Sequence, residues 1–386
     1  RHQLESYDDF VLNKMEQIVE GFNPLLIQHK YIPELEDFKY TITINIVKPI
    51  ITRPIIYEKD GSTKIMSPTD ARQRNFSYSS SVYVEFHIHI KWYDNDLNKF
   101  ECKKIMKNVN IGKVPVMVGS NYCILNNPYF QINSQECKYD YGGYFIINGN
   151  EKVVISHDRI AENKTYIFLD NKLSQYSHIA EIRSVPDNLF GPPKLTSLKL
   201  SSKQTQFGHY IRANIHHVRI DVPIFVLFRA LGFESDKDIV KLCVYDLDDT
   251  NNKIVMDNLK GSIEDGNNVL TRASALDMLQ KFLNISGYPK EIMQNKSKRI
   301  NIIMEILKND FLPHVGESLL NKAMYLGYMV NKLLKCFLGI YSMDDRDSYL
   351  NKRVDTPGIM LANLFRQYYG KMVKDVKNMI YKELNN

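Results

Sequence analysis

Apolar and polar residues alternate along much of the first half of the chain. Alternation over residues 38–160 is typical of antiparallel strands with one face in a core, and the stretch 165–220 is strand-rich as well. Ahead of these strands, apolar residues three or four positions apart predict a helix over about residues 7–22, with Ser6 as its N-cap. The first 220 residues are therefore predicted to be one helix followed by mostly β structure.

Helical spacing of apolar residues replaces the alternation after residue 220. Asp221 can cap a helix that takes Pro223 in its first turn and ends at Gly232. Regular apolar spacing stops at Gly339–Asp347, where charges cluster and we predict a linker. Strands followed by helices indicate an α+β fold. Four more helices are predicted, at about 270–283, 298–309 and 319–338, and from Thr356-Pro357 onward.

A β-hairpin is the clearest local prediction, in the sequence GGYFIINGNEKVVISHDRIAEN at residues 142–163. Two apolar runs, Tyr144–Ile147 and Lys152–Ile155, flank the sequence Asn148-Gly149-Asn150-Glu151. Asn and Gly both tolerate the positive φ that a tight reversal needs, so this stretch predicts a hairpin. No glycine-rich phosphate loop occurs beside it, and a P-loop nucleotide enzyme is not supported.

Composition narrows the class of protein. The 386 residues, 44% of them hydrophobic, suffice for two or more domains with their own cores. A formal net charge of +6 permits nucleic-acid binding without requiring it. Five dispersed cysteines with no CxxC pair indicate a reducing compartment and argue against disulfides and a zinc site. The longest apolar run, Val222 to Phe228, is far shorter than a membrane span of about 18 residues.

The hairpin sequence also resembles a signature of the second-largest, β-type subunit of multi-subunit DNA-directed RNA polymerases. Further blocks resemble the same family in the same order, so the similarity extends over almost the whole chain. These blocks are SPTDARQRNFSYSSSVYVEF, IGKVPVMVGSNYCIL, HIAEIRSV, DVPIFVLFRALG, FLPHVG, KAMYLGYMVNKLL and DDRDSYLNKRVDTPG.

The resemblance implies a domain organisation. In this family an antiparallel β-rich protrusion with long helices is interrupted by an inserted mixed α/β lobe. Here that implies a protrusion at residues 1–163 and 344–386 and a lobe at 164–343. Because the last helix lacks a glycine stop or cap, we expect a fragment that continues towards the fork region of such a subunit.

Acidic and histidine clusters do not predict a catalytic or metal site. The cluster Asp344-Asp345-Arg346-Asp347 is interpreted as a locally neutralised linker. His87-Ile88-His89 places two imidazoles on one strand face, which without a third ligand nearby indicates a solvent-facing side. The resemblance implies that the catalytic aspartates belong to the largest subunit. We therefore expect no catalytic residue, metal ligand or cofactor in this chain, and Mg²⁺ only in the complete enzyme.

Basic residues near the end of the chain are the stronger candidates for nucleic-acid contact. Lys352 and Arg353 precede the predicted helix at Thr356-Pro357, whose N-terminal amides and dipole would favour a phosphate. Arg346 lies a few residues upstream. The resemblance implies that this segment lies near the nucleic-acid channel. The alternative is a solvated basic cluster that pairs with neighbouring aspartates.

Basic residues around the hairpin form a second candidate group. Lys152 and Arg159 follow the hairpin turn, while Arg72 and Arg74 flank another β-rich segment. For all four, ion pairs within the protrusion are at least as good an interpretation. Phosphate contacts from such residues would position a duplex without reading its sequence.

The resemblance implies a role in RNA synthesis from NTPs on a DNA template. We expect the chain to form a cleft wall that guides DNA and docks general transcription factors. Expected partners are the largest and smaller polymerase subunits, template DNA and the DNA–RNA hybrid, with no membrane. Richness in Asn, Lys and Ile suggests that the chain comes from a large DNA virus or an AT-rich protist. We expect a viral enzyme in the host cytoplasm or the virion, and a cellular enzyme in the nucleus. The alternative is a freestanding module that docks factors or binds nucleic acid outside any polymerase.

Overall fold

The chain folds into two compact units. The computed structural model describes residues 1–35, 37–94, 98–133, 136–137, 139–170, 175–186, 190–246, 250–284 and 296–385. Unit 1 comprises Arg1–Arg159 and Val354–Asn386, and unit 2 comprises Ile160–Arg353. Mixed helices and antiparallel sheets confirm the predicted α+β class.

The second boundary between the units lies at residue 353, whereas the sequence placed it at 343. The boundary lies there because residues 344–351 form hydrogen bonds with the rest of unit 2. Asp344 accepts a hydrogen bond from the Ile167 amide at 3.0 Å and from Lys332 Nζ at 2.8 Å. Buried Asn351 accepts one from Lys164 Nζ at 2.5 Å.

Unit 1 begins with a nearly continuous helical stretch. Helix α1 (His2–Asp9) leads through a π-helical turn into helix α2 (Met15–Gly21). The predicted helix is present, but it begins before residue 7, and the prediction of Ser6 as its N-cap is wrong. Ser6 lies inside α1, and its Oγ accepts a 2.9 Å hydrogen bond from the amide of Gly358.

Four antiparallel strands form the main sheet of unit 1, in the order β1-β2-β5-β6. Every second residue from Ile42 to Ile46 is buried, which confirms the alternation that predicted a half-buried sheet. The strands are β1 (Leu25–Ile32), β2 (Asp37–Ile51), β5 (Ser79–Tyr93) and β6 (Lys99–Pro115). The smaller elements here are β3 (Ile55–Tyr57), β4 (Thr63–Ile65), α3 (Pro68–Gln73) and α4 (Pro128–Asn133).

The predicted hairpin is confirmed, with a tighter turn and a shorter second strand. Strands β7 (Phe145–Ile147) and β8 (Asn150–Lys152) are joined by Asn148 and Gly149, whose φ angles are 50° and 78°. A β-carbon on Gly149 would also lie 2.5 Å from the side chain of Asn75, so this position requires glycine. Beyond β8 the predicted second strand is not formed, and its apolar residues Val153 and Ile155 are exposed.

Unit 2 packs helices against a five-stranded antiparallel sheet, β10 to β14 in chain order. All of helix α5 is buried, and it ends at Gly232, as the sequence predicted, where φ is a left-handed 115°. Asp221 does not cap this helix, because its carboxylate binds Lys199 and Tyr176 instead. The strands are β10 (Thr165–Leu169), β11 (Tyr176–Ser184), β12 (Lys194–Ser201), β13 (Ile211–Asn214) and β14 (Val222–Pro223).

Helices α9, α10 and α11 match the three patterns predicted in this part of the chain. Helices α6 to α8 are additional elements. The helices are α5 (Ile224–Leu231), α6 (Asp236–Val244), α7 (Thr250–Asp257), α8 (Lys260–Asp265), α9 (Arg272–Lys281), α10 (Lys296–Glu305) and α11 (Leu319–Phe337).

The last helix, α12 (Pro357–Asn385), begins where the sequence predicted and belongs to unit 1. The predicted linker contains no helix or strand from 340 to 348. After it, strand β15 (Lys352–Asp355) pairs with β9 (His157–Ile160) in a two-stranded sheet. Within the described ranges, no helix combines the length and hydrophobicity needed to cross a membrane.

Candidate nucleic-acid interface

Arg346 is held in unit 2 by an aromatic ring. Its guanidinium carbon lies 4.0 Å from the centre of the Phe168 ring, at a distance typical of a cation–π contact. Within the described part of the chain, no carboxylate pairs with this guanidinium. The neighbouring Asp344 is instead paired with Lys332. Arg346 therefore presents a half-buried guanidinium that has no carboxylate partner among the described residues.

Lys352 and Arg353 lie on strand β15, just before helix α12. Lys352 Nζ is 3.9 Å from Asp347, a loose pair because the Asp347 side chain is 97% exposed. Arg353 is exposed, and among the described residues its hydrogen bonds go to backbone oxygens, including that of Lys352 at 2.8 Å. Successive strand residues project to opposite faces, so the two cations do not share a face of β15.

The N-terminus of helix α12 does not offer the phosphate site that the sequence suggested. Pro357 has no N–H group, and the amide of Gly358 donates to Ser6 Oγ within unit 1. Both residues are buried. Any phosphate contact at Lys352 and Arg353 must therefore come from their side chains.

The second candidate group lies in unit 1 and is mostly ion-paired. Arg159 Nε donates to the Asp355 carboxylate at 2.6 Å. Arg72 is bound by Glu136 and Glu151, and Arg74 by Glu58. These three arginines have the ion pairs that the alternative interpretation expected.

Lys152 differs from those arginines. It is the exposed last residue of β8, opposite Phe145, and has no carboxylate partner within the described residues. For Lys152, contact with nucleic acid is therefore a simpler interpretation than an ion pair. The other three basic residues around the hairpin have ion pairs.

A lysine-rich edge strand was missed by the sequence reasoning. Strand β6 pairs only with β5 in the described structure, and along it four exposed lysines form no ion pair at contact distance there, although Lys107 is near enough to Glu85 to help lower the pKa of that carboxyl. Lysines on a free edge also prevent pairing with other chains, which is a structural use of the same residues. The signal in the sequence was the density of lysine in ECKKIMKNVNIGK. The four residues are Lys103, Lys104, Lys107 and Lys113.

Glu101 is the one acidic residue on β6, and its charge is already compensated. It lies 2.8 Å from Lys99 and 3.3 Å from His89, and the hydrogen bonds from Lys99 and His89 lower its pKa to about 2. His87 lies beside Glu85 in the same polar face. Across the residues that are described, no three His, Cys, Asp or Glu side chains are grouped to hold a metal ion.

Comparison with known proteins defines the class of this chain as a polymerase component. A family model described as "RNA polymerase beta subunit" matches residues 1–386. The chain therefore belongs to the RNA polymerase beta subunit family, which confirms the resemblance found in the sequence.

Relatives of the chain come from plants, archaea and a giant virus. It is 36% identical to "DNA-directed RNA polymerase II subunit 2" of Arabidopsis thaliana, over 100% of this chain and 33% of that protein. It is 30% identical to "DNA-directed RNA polymerase subunit 2" of Acanthamoeba polyphaga mimivirus, over 100% of this chain and 32% of the relative. It is 31% identical to "DNA-directed RNA polymerase subunit Rpo2N" of Methanococcus vannielii, over 99% of this chain and 71% of that protein. The chain spans about a third of the length of the Arabidopsis and mimivirus relatives.

Proposed function

We propose that this chain forms a DNA-guiding wall of a DNA-directed RNA polymerase, as part of its second-largest subunit. The family match over residues 1–386 carries the proposal. In that assembly the chain contributes no catalytic group, and the complete enzyme synthesises RNA from NTPs with Mg²⁺ held elsewhere. The partners are the largest and smaller subunits, DNA, the DNA–RNA hybrid and transcription factors, in the nucleus or at a viral site of transcription.

The two units are proposed to be the protrusion and the lobe. Unit 1 is discontinuous in sequence, and unit 2 is inserted into it, which is the organisation that the family resemblance implied. A tagged chain should therefore copurify with the largest polymerase subunit. Recovery of the chain with transcription factors but without polymerase subunits would instead support the freestanding module.

Each unit carries basic side chains suited to phosphate. Unit 1 presents the unpaired lysines of β6, and unit 2 presents Arg346, Lys352 and Arg353. Side chains that meet only the phosphate backbone bind without sequence preference and gain affinity from counterion release. Such contacts suit a wall along which DNA of any sequence moves.

Replacing Lys352 and Arg353 with alanine should weaken binding of template DNA by the assembled enzyme equally for different sequences. The slope of log K against log salt should become shallower by about one to two phosphate contacts. The control is Lys237→Ala with Lys241→Ala, which removes the same charge from exposed positions of α6. An unchanged slope in the first variant would rule out phosphate contact by this pair.

A further inference from the structure

The outer edge of strand β6 is open to solvent. In the described structure, β6 is the last strand of the main sheet of unit 1 and pairs with β5 alone. Its residues 99 to 108 are all exposed, on both faces of the strand. Every second residue of an edge strand points its amide and carbonyl away from the sheet. This part of β6 therefore offers about 30 Å of backbone to another strand.

The two faces of this exposed part of β6 differ in polarity. Phe100 lies opposite Trp92, and the two rings are stacked with their centres 5.7 Å apart. Met106 lies on the same face as Phe100, because side chains an even number of residues apart share a face. Lys103 lies on the other face, opposite His89. A strand added at this edge would therefore place its side chains alternately beside apolar groups and beside Lys103.

The charge along this edge determines which strands it can accept. Lys103 and Lys107 are four residues apart on the polar face, and Lys104 lies on the other face. The one acidic residue of β6, Glu101, is already bound by Lys99 at 2.8 Å. Like charges on neighbouring strands repel, so these lysines oppose pairing with a second copy of this chain. An acidic strand would instead be attracted to the same edge.

We propose that the edge of β6 binds an extended segment of another protein, in which acidic residues alternate with apolar ones, as an added strand. Main-chain hydrogen bonds to β6 hold the segment. Its acidic side chains lie beside Lys103 and Lys107, and its apolar side chains lie beside Phe100 and Met106. The proposal does not depend on the polymerase assignment. Because DNA phosphates would use the same lysines, the segment and DNA exclude one another at this edge.

A labelled peptide in which glutamate and valine alternate tests the proposal, by fluorescence anisotropy with the 386-residue chain. Two further versions of the peptide carry N-methyl groups, one on every valine amide and the other on every glutamate amide. Alternate amides of an added strand face β6, so one methylated peptide should bind more than about tenfold more weakly than the other, through loss of about three hydrogen bonds. Bound peptide should also slow hydrogen exchange in residues 99–108.

Replacing Lys103 and Lys107 with glutamine should weaken binding of the unmethylated peptide about threefold to tenfold, with a smaller loss at high salt. The control is Lys371→Gln with Lys374→Gln, which removes the same charge from exposed positions of α12 and should leave binding unchanged. All four lysines are exposed, so neither pair of substitutions should alter the fold.

Four outcomes would overturn the proposal. The first is no binding of the acidic peptide at about 1 mM. The second is equal affinity of the two methylated peptides, or of the acidic peptide and a version with lysine in place of glutamate. The third is binding of a short DNA duplex at this edge without binding of the peptide, which would leave the lysines of β6 to DNA alone. The fourth is a dimer of the chain in which residues 99–108 are protected from exchange, which would make a second copy the occupant.

Discussion

Replacing Lys322 with methionine should lower the free energy of unfolding of unit 2 by about 3 kcal/mol. Lys322 is fully buried in α11, and its ammonium donates to the carbonyls of Leu307, Lys308 and Phe311 at 2.9, 2.5 and 2.5 Å. These carbonyls lie at the end of the helical segment that follows α10, where helix carbonyls have no following turn to bind them. Methionine fills the space but leaves them unbonded.

Urea unfolding followed by circular dichroism measures this loss, with hydrogen exchange to assign it to unit 2. Lys308→Met is the matched control, because the Lys308 side chain is exposed while only its carbonyl binds Lys322. Equal stability of the two variants would show that the buried ammonium contributes nothing.

The same lysine makes the effect depend on pH. Burial lowers its pKa from 10.5 to about 8, so between these values the unfolded chain binds more protons than the folded chain. The unfolding free energy contributed by Lys322 therefore rises as pH increases from about 8 to 10.5. The difference between the original chain and Lys322→Met should widen over that range and stay constant below it.

Gly358→Ala should destabilise unit 1 by about 3 kcal/mol, through overpacking against backbone. A β-carbon at residue 358 would lie 1.8 Å from the carbonyl oxygen of Ser6, a distance that only movement of helix α1 or α12 can relieve. The movement would also break the hydrogen bond from the Gly358 amide to Ser6 Oγ. Fluorescence of Trp92, the single tryptophan and a residue of β5, reports unfolding of this unit.

The control for this substitution is Gly21→Ala, at the end of α2. A β-carbon there meets no atom within 4 Å, so alanine should be neutral or stabilise the helix by up to about 1 kcal/mol. Equal effects of the two substitutions would contradict the close approach of α1 and α12 at Gly358.

Local patterns predicted those parts of the fold that local physics determines. The Asn148-Gly149 turn, the glycine stop at Gly232 and the long amphipathic helices all depend on residues that are near one another in sequence. Capping was predicted less well, since Ser6 and Asp221 bind side chains or amides far along the chain. A capping residue resembles any other polar residue until its distant partners are known.

The candidate interface shows the same limit. The sequence identified Arg346, Lys352 and Arg353 by their family context, but not the ring of Phe168 that fixes Arg346. It could not separate Arg159, which is paired with Asp355, from Lys152, which has no such partner in the described residues. Nor could it show that the lysines of β6 lie on an edge, because strand order is a tertiary property.

The hydrogen bond between Ser6 and Gly358, at the start of α12, also constrains the order in which this protein folds during synthesis. Unit 2 is one continuous segment, residues 160–353, so it can fold as soon as that segment has emerged from the ribosome. The packing of the helical stretch from α1 to α2 is complete only when α12, about 350 residues later in the sequence, has been synthesised. During that interval Phe10 lacks its contact with Phe365, and apolar groups left exposed in this way favour aggregation of an incomplete chain.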